Sequence, residues 1–180
     1  MRSRILLSFS LLAFVVSGCL FVVDDDHSDG PGAGGSVARA RIEGRSGVAL
    51  SGTATFRQME GGVMIEIEVE HAPPGWHAVH IHEKGDCSAE DGASAGGHFN
   101  PAGVAHGSPH APEHHAGDLG NMEVKADGSG FHALFMPGLT VDAGEFGVVG
   151  RAIIVHADAD DLVTQPTGAA GGRIGCGVIR

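Results

Sequence analysis

Residues 76–118 read WHAVHIHEKGDCSAEDGASAGGHFNPAGVAHGSPHAPEHHAGD and hold eight of the chain's twelve histidines. His80 and His82 stand two apart in a run that alternates as a strand does. Both imidazoles therefore project from one face and set two neutral nitrogen donors side by side. Beyond them, His98, His106, His115 and Asp118 are spread over a loop rich in glycine and proline that can bend back on itself. Three imidazoles and a carboxylate around one ion make a tetrahedral N and O set of the kind zinc accepts. A rigid histidine pair beside a looped histidine and aspartate set points to two metal sites. The rest of the chain has to supply a scaffold and any missing ligand.

Outward from this stretch the sequence reads as strands. Ala38 to Ile42 and Val48 to Arg57 alternate loosely, and Glu60-Gly61-Gly62 makes a turn. Ile65, Ile67 and Val69 then alternate with Glu66, Glu68 and Glu70, the pattern of a strand with one buried and one wet face. Pro73-Pro74-Gly75 ends it, and the strand from Trp76 to Glu83 carries the histidine pair. Asn121 to Ala126, Gly130 to Phe135, Phe146 to His156 and Arg173 to Ile179 supply further strand material, with Asp127-Gly128 as a hairpin turn. Thirty glycines and eight prolines with no helical repeat fit short strands joined by turns. The fold class is all-β, an antiparallel sandwich or flattened barrel.

At 180 residues the chain fits one domain plus an appendage. Its formal net charge is −11; without the first eighteen residues, which carry Arg2 and Arg4 but no acid, nine cations face twenty-two acids. A field of that sign argues against nucleic acid as partner. Arg2 and Arg4, the apolar run Ile5 to Val16, and Val16-Ser17-Gly18 ahead of Cys19 have the form of an export signal. This resembles the lipobox of bacterial lipoproteins, which implies residues 1–18 as a signal peptide and Cys19 as the lipidated residue. The other reading is an uncleaved anchor helix over Ile5 to Val23, marginally long enough to span a bilayer. Either reading exports and tethers the domain. Residues 19–37, with four aspartates, His27 and little apolar surface, read as a solvated tether.

Five blocks, VHIHEKGDC, GGHFNP, HHAGDLGN, IIVHADADD and GRIGCGVI, follow one another in an order that resembles the copper-zinc superoxide dismutases, over residues 38–180. The resemblance implies an eight-stranded antiparallel Greek-key β-barrel, an immunoglobulin-like sandwich of which this family is a standing example, with the metals held outside it by long loops. It implies one copper per subunit on His80, His82, His98 and His156, and one zinc on His98, His106, His115 and Asp118, with His98 shared between the two. An isolated His-x-His pair is more often solvent-facing; His156, at a strand exit before Ala157-Asp158-Ala159-Asp160-Asp161, changes the balance. Nitrogen-rich tetragonal sets suit Cu(II).

Further roles follow from the same resemblance. Asp160 matches the aspartate that joins a copper histidine to a zinc histidine; a capped turn is the alternative. Cys87 and Cys176 match the family's disulfide positions and, with Cys19 lipidated, are the two cysteines left in an oxidising compartment; free thiols or thiolate ligands are the alternative. Arg173 matches the channel arginine that attracts superoxide and hydrogen-bonds it near copper, and Thr167 the channel-rim threonine; a lone surface cation is the plain reading of Arg173. His115 rather than His114 is selected by the spacing to Asp118. His77 and His132 read as structural, His110 and His114 as solvated. From Leu162 to Gly172 the loop LVTQPTGAAGG carries no charge, so guidance of the anion would rest on Lys84 or other basic residues.

The function implied is dismutation of superoxide to dioxygen and hydrogen peroxide, with Arg173 and His98 as catalytic residues, in the bacterial cell envelope or periplasm, the chain lipid-anchored at the outer membrane. Superoxide is the substrate partner, and a homodimer is compatible with the family. Two other readings stand beside it: a lipoprotein that binds or hands over copper without turnover, and a copper-only dismutase, against which the zinc set His106, His115 and Asp118 argues.

Overall fold

In the computed structural model, residues 35–180 are described. The leader, Cys19 and the tether up to residue 34, His27 included, lie outside them. Strand β1 (Val37–Gly44), β2 (Ser51–Met59) and β3 (Gly62–Glu70) follow as antiparallel neighbours. Alternation sorts their side chains: Ala38, Ala40, Ile42, Ala54, Phe56, Ile65, Ile67 and Val69 are buried, while Arg39, Arg41 and Glu68 face out. β4 (Gly75–His82), β5 (Asp118–Val124), β6 (Gly130–Pro137), β7 (Ala152–His156) and β8 (Arg173–Val178) complete a closed barrel in the order β1-β2-β3-β6-β5-β4-β7-β8. The jumps from β3 to β6 and from β4 to β7 make the topology a Greek key.

Two seams of the barrel are thin. β5 meets β6 through the single pair Val124 and Gly130, and β1 meets β8 through Glu43 with Cys176 and Gly44 with Gly175. The barrel is therefore flattened into two sheets, β1-β2-β3-β6 and β5-β4-β7-β8, with one apolar core between them. Phe56, Ile65, Ile67, Ile81, Leu119, Met122, Met136 and Ile153 are among the largest of its fully buried side chains. Each such side chain contributes about 1.5–3 kcal/mol by leaving water.

The strands follow the expected order, with three differences, the first being that Asp118, expected in the loop, begins β5. Val48–Leu50 precedes β2 in a loop, because Ser46 and Gly47 turn through positive φ and Val48 donates its N–H to Arg45 O at 3.0 Å. Of Phe146 to His156 only Ala152–His156 is strand: turns closed by Gly147 N–H on Gly144 O and Arg151 N–H on Val148 O occupy the rest. The hairpin at Asp127-Gly128 forms as read, with Gly128 at φ 82° and Lys125 N–H on Ser129 O at 2.9 Å.

β4 carries the site because both its faces are covered. Val79 and Ile81 point into the core, and His80 and His82 point out, yet these are only 0% and 1% exposed. Residues 83–117 and 157–172 cover them. The first of these loops is tied down by the Cys87–Cys176 disulfide, whose Cα atoms lie 5.8 Å apart across 89 residues. Replacing Cys176 with serine is expected to cost about 2–5 kcal/mol of unfolding free energy, read by urea denaturation with and without reductant; reductant should leave the variant's midpoint unchanged.

Candidate metal centre

The register of β4 against β7 sets His80 opposite Ile154 and His82 opposite Ala152. On β7, Ile153 and Val155 belong to the barrel core, so Ala152, Ile154 and His156 share the outward face with the β4 histidines. His98 is brought to them from the loop. Phe99 donates its N–H to Ile81 O at 2.8 Å, Glu83 N–H bonds Gly97 O at 2.9 Å, and His82 and His98 form an isolated antiparallel bridge. Gly117 closes the circle, bonded to Ile81 and to Phe99. The ring of Phe99 is pinned in turn by Arg151, whose guanidinium carbon lies 3.4 Å from its centroid.

Two donor sets result, His80, His82, His98 and His156 in one and His98, His106, His115 and Asp118 in the other, with the ligand atoms of each within 4.8 Å of one another and every residue buried. All seven residues expected from the sequence are thus brought together. In the first set the hydrogen bonds decide which nitrogens stay free. His80 Nε2 meets Asp160 Oδ2 at 2.8 Å, His82 Nδ1 meets Gly96 O at 2.9 Å and His156 Nδ1 meets Gly171 O at 3.4 Å. Each of those partners is an acceptor, so each of those ring nitrogens donates. The opposite nitrogens keep lone pairs: His80 Nδ1 is buried without a partner, and His82 Nε2 and His156 Nε2 face each other at 3.4 Å. Lone pairs converging in a dry site call for a cation.

In the second set the donors centre on Asp118 Oδ1, with His98 Nδ1 at 2.9 Å, His106 Nδ1 at 3.0 Å and His115 Nδ1 at 3.3 Å. His115 Nδ1 and His98 Nδ1 are 3.3 Å apart. A tetrahedral ion with bonds of about 2.0–2.1 Å spaces its ligands about 3.3 Å apart, so the cage fits zinc. Asp118 Oδ2 accepts the N–H groups of Gly107 and His115, leaving Oδ1 for the ion. His98 is common to both sets; its Nε2, on the other side of the ring, is buried without a partner.

Asp160 links the two cages. Its Oδ2 accepts from His80 Nε2 at 2.8 Å and its Oδ1 from His106 Nε2 at 2.9 Å, fixing both tautomers as outer partners of metal ligands do. Three residues that the sequence did not single out hold this arrangement. Asn121 clamps the Asp160 backbone, donating to its O at 2.9 Å and accepting its N–H at 2.7 Å. Gln165 does the same for His106, at 2.8 Å each way. Gly168, at φ 65°, packs where a Cβ would overlap the Asp160 carboxylate. Amide side chains and glycines are common in loops, and only the identity of their neighbours marks these.

Arg173 stands at the start of β8, paired with His156. Its Nη1 donates to Gly92 O and its Nη2 to Gly96 O, both at 2.6 Å. Gly96 O also accepts from His82, so one carbonyl orients a ligand and the arginine together. Thr167 is exposed in the second loop. His77 is buried, with its two ring nitrogens on His156 O and Pro73 O, and His132 bonds Leu119 O; both are structural. His110 is exposed and half-buried His114 bonds His115 O, so His115 holds the ligand position.

Charge favours cations in both cages. Burial, with His98 and Arg173 nearby, lowers His156 to about 4, and burial with His98 and His156 nearby lowers His80 well below its ordinary value; burial likewise lowers His82 to about 2. At neutral pH these rings are unprotonated donors. Burial disfavours the Asp118 carboxylate, but bonds from His98 and the Gly107 N–H outweigh it and hold the group well below the carboxylate range. Burial likewise opposes protonation of His106, and its bonds to Asp160 and Asp118 reverse the sign and raise it.

The profile of the family described as "Copper/zinc superoxide dismutase (SODC)" matches residues 50–179. The superoxide dismutase [Cu-Zn] of Caulobacter vibrioides is 38% identical over 136 residues, 72% of this chain and 78% of that protein. Among solved structures, the clock protein EA4 superposes with a TM-score of 0.72 at 36% identity, covering 81% of this chain and 94% of that one. A double mutant of a SOD-like protein from Bacillus subtilis superposes with a TM-score of 0.70 at 38% identity, covering 77% and 94%.

Proposed function

The chain belongs to the copper/zinc superoxide dismutase family, and from that premise we propose how its own residues divide the work of converting superoxide to dioxygen and hydrogen peroxide. It uses copper and zinc. We assign copper to His80, His82, His98 and His156, and zinc to His98, His106, His115 and Asp118. The sharing of His98, with Nδ1 in one cage and a partnerless Nε2 facing the other, is the observation that carries this assignment. Bound copper supplies a one-electron carrier that superoxide alternately reduces and reoxidises. Zinc held by these four residues would have no open position for substrate, which would make its role structural.

Arg173 holds the anionic substrate beside the first cage through a guanidinium whose remaining N–H groups stay available. Its own position is fixed by the Gly92 and Gly96 carbonyls. His98 would take up a proton at Nε2 in one half of the cycle and give it to the product in the other, the second proton of hydrogen peroxide coming from solvent. Asp160 keeps His80 and His106 from turning as this happens. Replacing Arg173 with alanine is expected to lower kcat/KM for superoxide by about tenfold or more and to flatten its dependence on ionic strength, measured by pulse radiolysis.

Cys19 is proposed as a lipidation site that tethers the exported domain to the outer membrane of a bacterial envelope; the small residues ahead of it support this. The same reading admits a homodimer, which sedimentation of the purified chain reads directly. Metal analysis paired with a superoxide assay tests the whole. One copper and one zinc per chain with rapid turnover is the expected result, and a chain that held copper but turned over no superoxide would be a copper carrier instead.

A further inference from the structure

Where β1 closes against β8, the outer wall carries four arginines in a row that runs from Arg180 to Arg45, whose N–H bonds Ile174 O at 2.9 Å beside Arg173. Arg39 and Arg41 take outward positions on β1, Arg45 follows its end, and Arg180 lies across from Arg39, the two exchanging backbone hydrogen bonds of 2.8 and 2.9 Å. They line a groove of ≈ 370 Å³ beside the Cys87–Cys176 disulfide, with Glu43 as its one acidic side chain. Residues 35–180 contain nine Lys and Arg, the chain's eleven less Arg2 and Arg4, and eighteen Asp and Glu, its twenty-two less Asp24, Asp25, Asp26 and Asp29. Four of the nine cations and one of the eighteen acids share this groove, which inverts the protein's own balance.

The arrangement also works against the sheet. Like charges directly opposite each other on neighbouring strands destabilise it, and Arg39 and Arg180 stand that way. Among the described residues neither forms an ion pair with a side-chain carboxylate; Arg41 with Glu43 at 3.7 Å is the groove's one ion pair. Arg45 is held by the backbone, donating to Gly44 O at 2.8 Å and Cys87 O at 2.9 Å, while its Nε is buried without a partner. Arg41 also faces Glu68 and Glu70 across a neighbouring hollow, but Arg39 and Arg180 have no such partner, and the groove's excess of guanidinium groups is complementary to an external anion.

We propose that this groove docks onto the phosphate groups of an anionic phospholipid surface. Guanidinium forks match phosphate oxygens in pairs. At about 3.3 Å per residue, Arg39 and Arg41 lie about 7 Å apart and Arg45 about 20 Å from Arg39, a row longer than one phosphate ion and suited to an array of them. A chain anchored through Cys19, the reading on which this rests, is held near a bilayer surface. The rest of the described domain holds five of its nine cations against seventeen of its eighteen acids, so the groove is favoured over most of the surface for contact with an anionic bilayer.

The test uses the full metal-loaded chain at low salt, on vesicles of phosphatidylcholine alone or mixed with phosphatidylglycerol. Phenylglyoxal labelling read by mass spectrometry follows each arginine. Labelling of Arg39, Arg41 and Arg180 should slow by about tenfold on the anionic vesicles, with Arg151 unchanged. In the double variant Arg39→Gln, Arg41→Gln, Arg180 should regain its rate while superoxide turnover and metal content hold. Equal labelling on both vesicle types would overturn the proposal. Equal protection on neutral vesicles by added inorganic phosphate would overturn it in favour of a free anion. Flotation with neutral vesicles reports the anchor separately: a chain that fails to float there but is protected on anionic vesicles loses Cys19 as tether and keeps the groove.

Discussion

Replacing His156 with alanine is expected to abolish superoxide turnover while the protein keeps its zinc and its fold. The loss should exceed the about 10–100-fold that removal of a mere outer partner of a metal ligand costs. His156 supplies one of four inward-facing nitrogens, only 3.4 Å from His82 Nε2, and no other side chain stands ready to replace it. The fold should survive because His156 lies on the outward face of β7, and the carbonyl that His77 bonds belongs to its backbone. Zinc should stay because none of its four donors touches the lost ring. Pulse radiolysis, elemental analysis and circular dichroism read the three parts. Undiminished turnover, or zinc lost in step with copper, would contradict two cages that share His98 alone.

Gly168→Ala should weaken both metals at once. A Cβ at this position overlaps the Asp160 carboxylate and comes within 2.7 Å of His106 Nε2, at a φ of 65° that a side chain rarely adopts. The loop must lift, and the aspartate that holds one histidine from each cage goes with it. Copper and zinc affinities are each expected to fall by about 10–100-fold, measured by competition with chelators, with thermal stability of the metal-free barrel nearly unchanged. Asp160→Asn offers a sharper version. Its amide can accept from only one of the two rings, so one histidine must reverse its tautomer. A loss confined to one metal in Gly168→Ala would show that Asp160 does not couple the cages.

Much of this was legible before the structure. Period-two alternation fixes which way side chains point, so His80 and His82 had to share a face, and Ile65, Ile67 and Val69 the other kind of face. His156 ends the unbroken apolar run Ala152 to Val155, which shows no alternation, and its place in the set comes from the family resemblance. What alternation cannot show is who sits across a loop. Asn121, Gln165 and Gly168 lie 39, 59 and 8 residues from the partners they serve, Asp160, His106 and Asp160 respectively, and nothing local distinguishes them. The segment Phe146–Arg151 misled because Phe146, Val148 and Val149 are strand-forming residues, while Gly147 and Gly150 sit in turns that take it away from the sheet. The arginines of β1 were visible as the polar half of a loose alternation, but Arg45 and Arg180 join them only once β1 has closed on β8.

The core between the two sheets contains none of the metal ligands; every donor atom sits on the outer wall or in a covering loop. Assembly can therefore run in two stages, with the hydrophobic interior completed by the polypeptide alone and the ions fitted afterwards from outside. The barrel can mature wherever it meets its metals, and starvation for one of them would leave an intact vessel waiting to be filled.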